Sequence, residues 1–237
     1  MKLSKRENLF INGLGMVSIR THSLAKRITF RVNTGVLQVT KPVGVTHKET
    51  IKVINTMKDE LVDFVSKNQP PFIDLQFKID TPYFKLSIVE GDREKFLSRS
   101  ELGEMKIIAP QGTEFKNNSL QKWLRKVIVE ALRRNAKIIL PPKLYSLSQR
   151  FGVAYKGVKI NTSKGRWGSC SSEKNINLSA FLVLLPQHLI EYVLLHELSH
   201  TFHLNHSDKF WTQLDQFTNG RARELDLELK KHEMLNL

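Results

Sequence analysis

The chain has 237 residues, 41% of them hydrophobic and 25% charged, with a formal net charge of +14. That length admits one large domain or two modest ones, each with its own core, and the composition excludes a disordered or low-complexity chain. No window approaches the ~20 uninterrupted apolar residues of a membrane span, the basic opening MKLSKRENLF leads into no sustained apolar stretch, and the single cysteine, Cys170, has no internal disulfide partner. Together these predict a soluble protein that is neither exported nor membrane-bound, in a cytoplasmic setting.

Residues 15–41 read as a small meander of strands, MVSIRTH, RITFRV and VLQVTKP, with Asn33-Thr34-Gly35 as the turn between the second and third. Thr46 and Glu49 then stand in capping-box spacing and open one amphipathic helix, with Ile51, Ile54, Met57, Leu61 and Phe64 along a face and an end before Asn68. Three further strands, YFKLSIVE, KFLSR and EMKIIAP, extend to Pro110, and QGTEFKNNS is a boundary. The spacing therefore predicts a β-rich region with one helix over 1–113 and a second region over 114–237.

From Ser119 the periodicity is helical, with Leu120, Leu124, Val127, Ile128 and Ala131 on one face. Pro141-Pro142 predicts a break and a restart into a shorter helix closed by Gly152. GVKINT, GRWGSCS and NINLSAFLVLLP read as a short antiparallel sheet in which Gly168 serves a tight turn, and Pro186 opens a last apolar helix through PQHLIEYVLLHELSHTF. The class is α+β, and no internal repeat is evident.

The charge is uneven: from Lys122 to Lys174 there are thirteen Lys or Arg against two acids, Glu130 and Glu173. The positive charges are dispersed along predicted helix faces and hairpins, the pattern of a solvated face, and they predict at most weak, non-specific nucleic-acid binding.

Four of the eight histidines lie between His196 and His206. On a helix His196 and His200, four apart, project from one face about one turn apart, which suits two positions of a tetrahedral metal. Glu197 completes H-E-x-x-H, the pattern in which two histidines hold zinc and the glutamate is general base for a metal-activated water. His206 becomes a third ligand if the chain turns back after His203, and Asn205 suits such a turn because Asn tolerates the left-handed conformation. The competing third ligand is Glu224, as in thermolysin-like sites. Metzincin peptidases share the six-residue spacing from the second to the third histidine, but glycine stands there where this chain has His203. His203 fits a supporting or surface position, since three protein ligands leave the fourth place open.

RWGSC (166–170), INLS (176–179), YVLLHELSH (192–200) and NHSDKFW (205–211), in this order, resemble the YgjP-like metallopeptidase family, related to the SprT and WLM zinc peptidases. The first half resembles the family more loosely through AKRITFRVNTGVLQVTKPVGVT. The resemblance implies a minimal zincin fold, one zinc ion held by His196, His200 and His206, Glu197 as catalytic base, and a polypeptide substrate.

Arg166 has two readings: a group near the site that stabilises an oxyanion or binds a substrate carboxylate, or a residue of a structural hairpin with a buried Trp167. Cys170 could in principle bind metal but reads as a small buried residue, and Phe210 and Trp211 as core residues that pin the loop carrying His206. The alternative to a zinc peptidase is a nucleic-acid-associated binding module with structural zinc. Such sites are usually closed by four protein ligands, often cysteines.

Overall fold

The computed structural model describes residues 6–33 and 35–237. The chain divides between Pro71 and Phe72 into two compact units. Among the described residues no helix is long and apolar enough to cross a membrane.

In the first unit a hairpin of β1 (Arg6–Ile11) and β2 (Gly15–Thr21) is joined to β3 (Thr29–Asn33) and β4 (Val36–Lys41) in the order β1-β2-β4-β3. β1 was not evident in the sequence. β2 runs parallel to β4, with Val17 opposite Leu37 and Ile19 opposite Val39, so the strands are not a simple meander. Alternation assigns each side chain to a face but leaves open which strands pair. Of the turn expected at Asn33 to Gly35, Thr34 lies outside the described residues.

The four paired apolar residues share a core with Ile54, Leu61 and Val65. Ile54 lies on α1 (His47–Thr56), which begins with the expected capping box: Thr46 Oγ1 accepts from Glu49 N–H, and the Glu49 carboxylate accepts from Thr46 N–H at 2.8 Å. Instead of one helix there are two, because Met57 leaves helical geometry at φ −99° and ψ 19° before α2 (Lys58–Lys67). Val65, not Phe64, continues the buried face; Phe64 is exposed.

The second unit repeats this topology. β5 (Ile79–Thr81), β6 (Phe84–Gly91), β7 (Leu97–Glu101) and β8 (Glu104–Pro110) lie in the order β5-β6-β8-β7, again with the two central strands parallel. Leu86 faces Met105 and Ile88 faces Ile107. The repeat leaves a faint trace in the sequence, Gly35-Pro42-Gly44 against Gly103-Pro110-Gly112 at identical spacing, too sparse to be read without the pairing.

A 34-residue helix, α3 (Asn118–Phe151), follows, capped by Asn117 and closed by Gly152 in the left-handed conformation at φ 63°. Pro141 and Pro142 sit inside it and do not break it. Proline removes helical hydrogen bonds at a cost of roughly 3 kcal/mol, but the buried stripe of Leu124, Ile128 and Leu132 continues through Leu140 and Leu144 in one core, and a broken helix would expose it.

Two buried amides of this helix hold the segment before the second sheet and the turns of that sheet. Gln121 Oε1 accepts from Ile73 N–H while its amide donates to Ile73 O, and Asn135 accepts from Gly103 N–H and donates to Tyr83 O. Unpaired, each of these buried groups would cost about 1–3 kcal/mol. Residues 72–113 thus pack with the C-terminal region, and the compact units divide some forty residues earlier than the expected boundary at 113/114.

A three-stranded sheet of β9 (Gly157–Asn161), β10 (Gly168–Cys170) and β11 (Asn175–Ser179) has the order β10-β11-β9. It is mixed, not antiparallel, because β11 runs parallel to β9. A buried 3₁₀ turn, Ala180–Leu184, leads to α4 (Gln187–Ser199), α5 (Asp208–Thr218) and α6 (Ala222–Leu229). Among the described residues three mixed sheets and six helices make the fold α+β.

Candidate metal centre

α4 is apolar almost all round, and Leu189, Ile190, Val193, Leu194, Leu195 and Leu198 are buried. A helix of that kind belongs in a core, and burial on several sides fixes the direction in which His196 and His200 project. Beyond Ser199 the helix is closed by backbone bonds, Thr201 N–H to Leu198 O and His203 N–H to Ser199 O. The chain then turns back to His206 without a left-handed Asn205, since Asn205 is not among the non-glycine residues with positive φ.

The turn brings three imidazoles together. Nε2 of His196 lies 3.2 Å from Nε2 of His200 and 3.1 Å from Nε2 of His206. Ligand nitrogens about 2.0–2.1 Å from a tetrahedral zinc stand about 3.3–3.4 Å apart, close to the two separations from His196, and the donor atoms of all three rings lie within 4.8 Å of one another. The His200 Nδ1–H donates to His203 O at 2.9 Å, which leaves the Nε2 lone pair of His200 directed at the cluster. Burial, followed by the neighbouring His200 and His206, pulls the His196 imidazolium down to about 3, and burial lowers His200 as well. Both shifts favour the neutral ring, the form that binds a metal, at His196 and His200.

One aromatic ring sits against all three. Phe210, fully buried on α5, stacks on His200 at 4.5 Å and meets His196 and His206 edge-on at 4.9 and 4.8 Å. It is therefore a platform for all three imidazoles and not only a pin for the His206 loop. Trp211 is half-buried beneath the Arg223 guanidinium, 3.6 Å from its ring centre.

Glu197 is 4% exposed, and its Oε2 is buried with no hydrogen-bond partner among the described residues. Burial pushes its carboxyl up to about 8, opposed by the charge of Arg166. An orphaned, desolvated carboxylate oxygen on the residue next to His196, on a helix whose histidines converge, fits a site completed by a cation and a proton-bearing ligand such as water. Arg166 is exposed and acts on Glu197 through its charge. Cys170 is half-buried, its thiol pushed up by burial and by the Glu197 charge, and it is not part of the histidine cluster.

Glu224 is not brought to the site: it is exposed on α6 and paired with Arg221 at 2.8 Å. His203 contributes its carbonyl and not its ring. Sequence reasoning missed this carbonyl, and no side-chain pattern signals it.

A family model described as YgjP-like, metallopeptidase domain, matches residues 26–232. No curated protein matches the chain. Among solved structures, the crystal structure of the metallopeptidase zymogen of Pyrococcus abyssi abylysin is 24% identical and covers 40% of this chain and 99% of its own, with a TM-score of 0.36.

Proposed function

The chain belongs to the YgjP-like metallopeptidase family, and from that premise we propose that it is a zinc-dependent peptidase in which His196, His200 and His206 hold the metal and Glu197 is the general base. The observation that carries the reading is the convergence of three imidazoles, with the carboxylate of Glu197, next in sequence to His196, buried and one of its oxygens without a partner among the described residues. When bound, zinc supplies Lewis acidity that makes water a competent nucleophile near neutral pH and polarises a carbonyl. Glu197 accepts the proton of the attacking water and returns it to the leaving amine of the peptide. At 4% exposure the carboxylate is shielded from bulk solvent, so the proton it takes up is kept within the site. Phe210 holds the three rings in one arrangement, and Arg166 is positioned to bind a substrate carboxylate or carbonyl at the Glu197 end of the site. The three-histidine set favours an open fourth position over a closed structural site.

Glu197→Gln keeps the side-chain shape and removes the proton acceptor. It is expected to retain zinc while cleavage of an unfolded polypeptide falls by about 10²–10⁴-fold. Measuring metal content and cleavage on the same preparation checks this; an active Gln variant with full zinc would remove Glu197 from the mechanism.

A further inference from the structure

Gly168 opens β10 and faces Leu178 across the ladder, while Trp167 O accepts from Ser179 N–H at 2.8 Å. The backbone there is not in the left-handed region, so any residue can adopt it. The glycine is therefore not required by a turn, contrary to what the sequence predicts. What it provides is space: a Cβ at this position would stand 2.5 Å from Glu197 Oε1 and 2.7 Å from both Cδ and Cγ. Optimal separations between such atoms are about 3.5–4.0 Å.

The crowding would not be relieved by turning the carboxylate alone, because Cγ is as close as Cδ. The whole Glu197 side chain would have to swing, and at 4% exposure it has little solvent to swing into. Movement of the strand is the costlier alternative, since it disturbs the pairing of Gly168, Ser169 and Cys170 with Leu178, Asn177 and Ile176.

We infer that Gly168 is a positioning residue for the general base: its missing side chain is what lets β10 lie directly against α4 with the Glu197 side chain in the space between them. The inference rests on the reading of Glu197 as base. A displacement of about 1 Å at a catalytic group can cost about 10²-fold in rate, and a single methyl at residue 168 imposes a displacement of that order. The three atoms nearest that Cβ all belong to Glu197 and none to a histidine of the cluster, so the methyl is expected to act on the base and not on zinc retention.

The test is a cycle of four proteins, wild type, Gly168→Ala, Glu197→Ala and the double variant, each measured for zinc content, thermal stability, kcat and KM on an unfolded polypeptide. Gly168→Ala is expected to keep its zinc, to lose about 10²-fold in kcat with KM little changed, and to melt below wild type. In the Glu197→Ala background the carboxylate is gone, so the same methyl should leave the melting temperature in place and add no further loss of rate, the non-additivity of residues in contact. Wild-type kcat in Gly168→Ala, or equal destabilisation in both backgrounds, would overturn the inference. If Gly168→Ala does not fold, folding of the double variant supports the clash, and failure of both overturns it. Full activity in zinc-loaded Glu197→Ala would sink the general-base reading itself, leaving the stability half of the cycle to report on the contact alone.

Discussion

In the sheet of β1 to β4 the parallel central pair, Val17 with Leu37 and Ile19 with Val39, shares a core with two short helices and, among the described residues, no cluster of metal-ligating side chains. In the sheet of β5 to β8 the equivalent pair, Leu86 with Met105 and Ile88 with Ile107, shares a core with α3 and α4, and so with the helix that carries His196, Glu197 and His200. One strand order has thus been used twice, once to close a small unit on itself and once as a floor on which longer elements are stacked. What separates them is the element that follows: ten-residue helices broken at Met57, against 34 residues running uninterrupted through two prolines. The chemistry belongs to the unit with the longer apolar stripe, because rigid ligand placement requires a helix buried on several sides.

The sharpest way to break this comparison is to remove a ligand. His206→Ala is expected to weaken zinc retention by at least about tenfold, whereas Glu224→Ala should leave it unchanged because Glu224 is occupied with Arg221 on the surface. Metal analysis after dialysis against a weak chelator reads the difference, and the reverse order would move the third ligand to α6.

Next in size are matched core truncations. Leu37→Ala and Leu132→Ala each empty a fully buried site, one per unit, and each should cost about 2–5 kcal/mol. Only Leu132→Ala should also lower zinc content per folded chain, since Leu132 shares its core with α4. Denaturant unfolding alongside metal analysis separates the two, and zinc loss in Leu37→Ala would show that the first unit supports the site.

A smaller effect sharpens the account of the first unit. Thr46→Ala removes one half of the capping box on α1 and should cost about 1 kcal/mol without touching metal content. The hydrogen bonds from Thr46 hold the Glu49 carboxyl below its usual range. A depressed carboxyl contributes stability above its unfolded pKa that is lost as pH falls through the folded one, so the wild-type advantage over Thr46→Ala should shrink on acidification. An unchanged gap between pH 7 and the acid side would show that the cap does not act through Glu49.

The smallest expected effect concerns the thirteen basic residues between Lys122 and Lys174. They should give only weak nucleic-acid binding whose logarithm falls linearly with that of salt concentration. Tight, sequence-selective binding at high salt would mean that this segment does more than carry solvated charge.

What the sequence by itself determined is local. The four-residue spacing of His196 and His200 on one helix face follows from 3.6 residues per turn, the box at Thr46 and Glu49 and the stop at Gly152 follow from capping chemistry, and the buried stripe of α3 follows from periodicity. Ordered motifs from Arg166 to Trp211 carried the family resemblance for the same reason: their spacing is written along the chain. Tertiary structure decided everything that depends on which segments meet. Alternation marked β2 and β4 as half-buried strands but could not make them parallel, and two prolines read as a break until a continuous core held the helix through them. The turn to His206 was foreseen at Asn205, yet it is closed by the backbone of the α4 terminus and steadied by Phe210 against three rings. Gly168 was the least legible residue, because a missing Cβ signals nothing until the Glu197 side chain is found in the space it leaves. Local rules act between residues a few positions apart, whereas these choices were made by contacts between segments brought together only when the core closed.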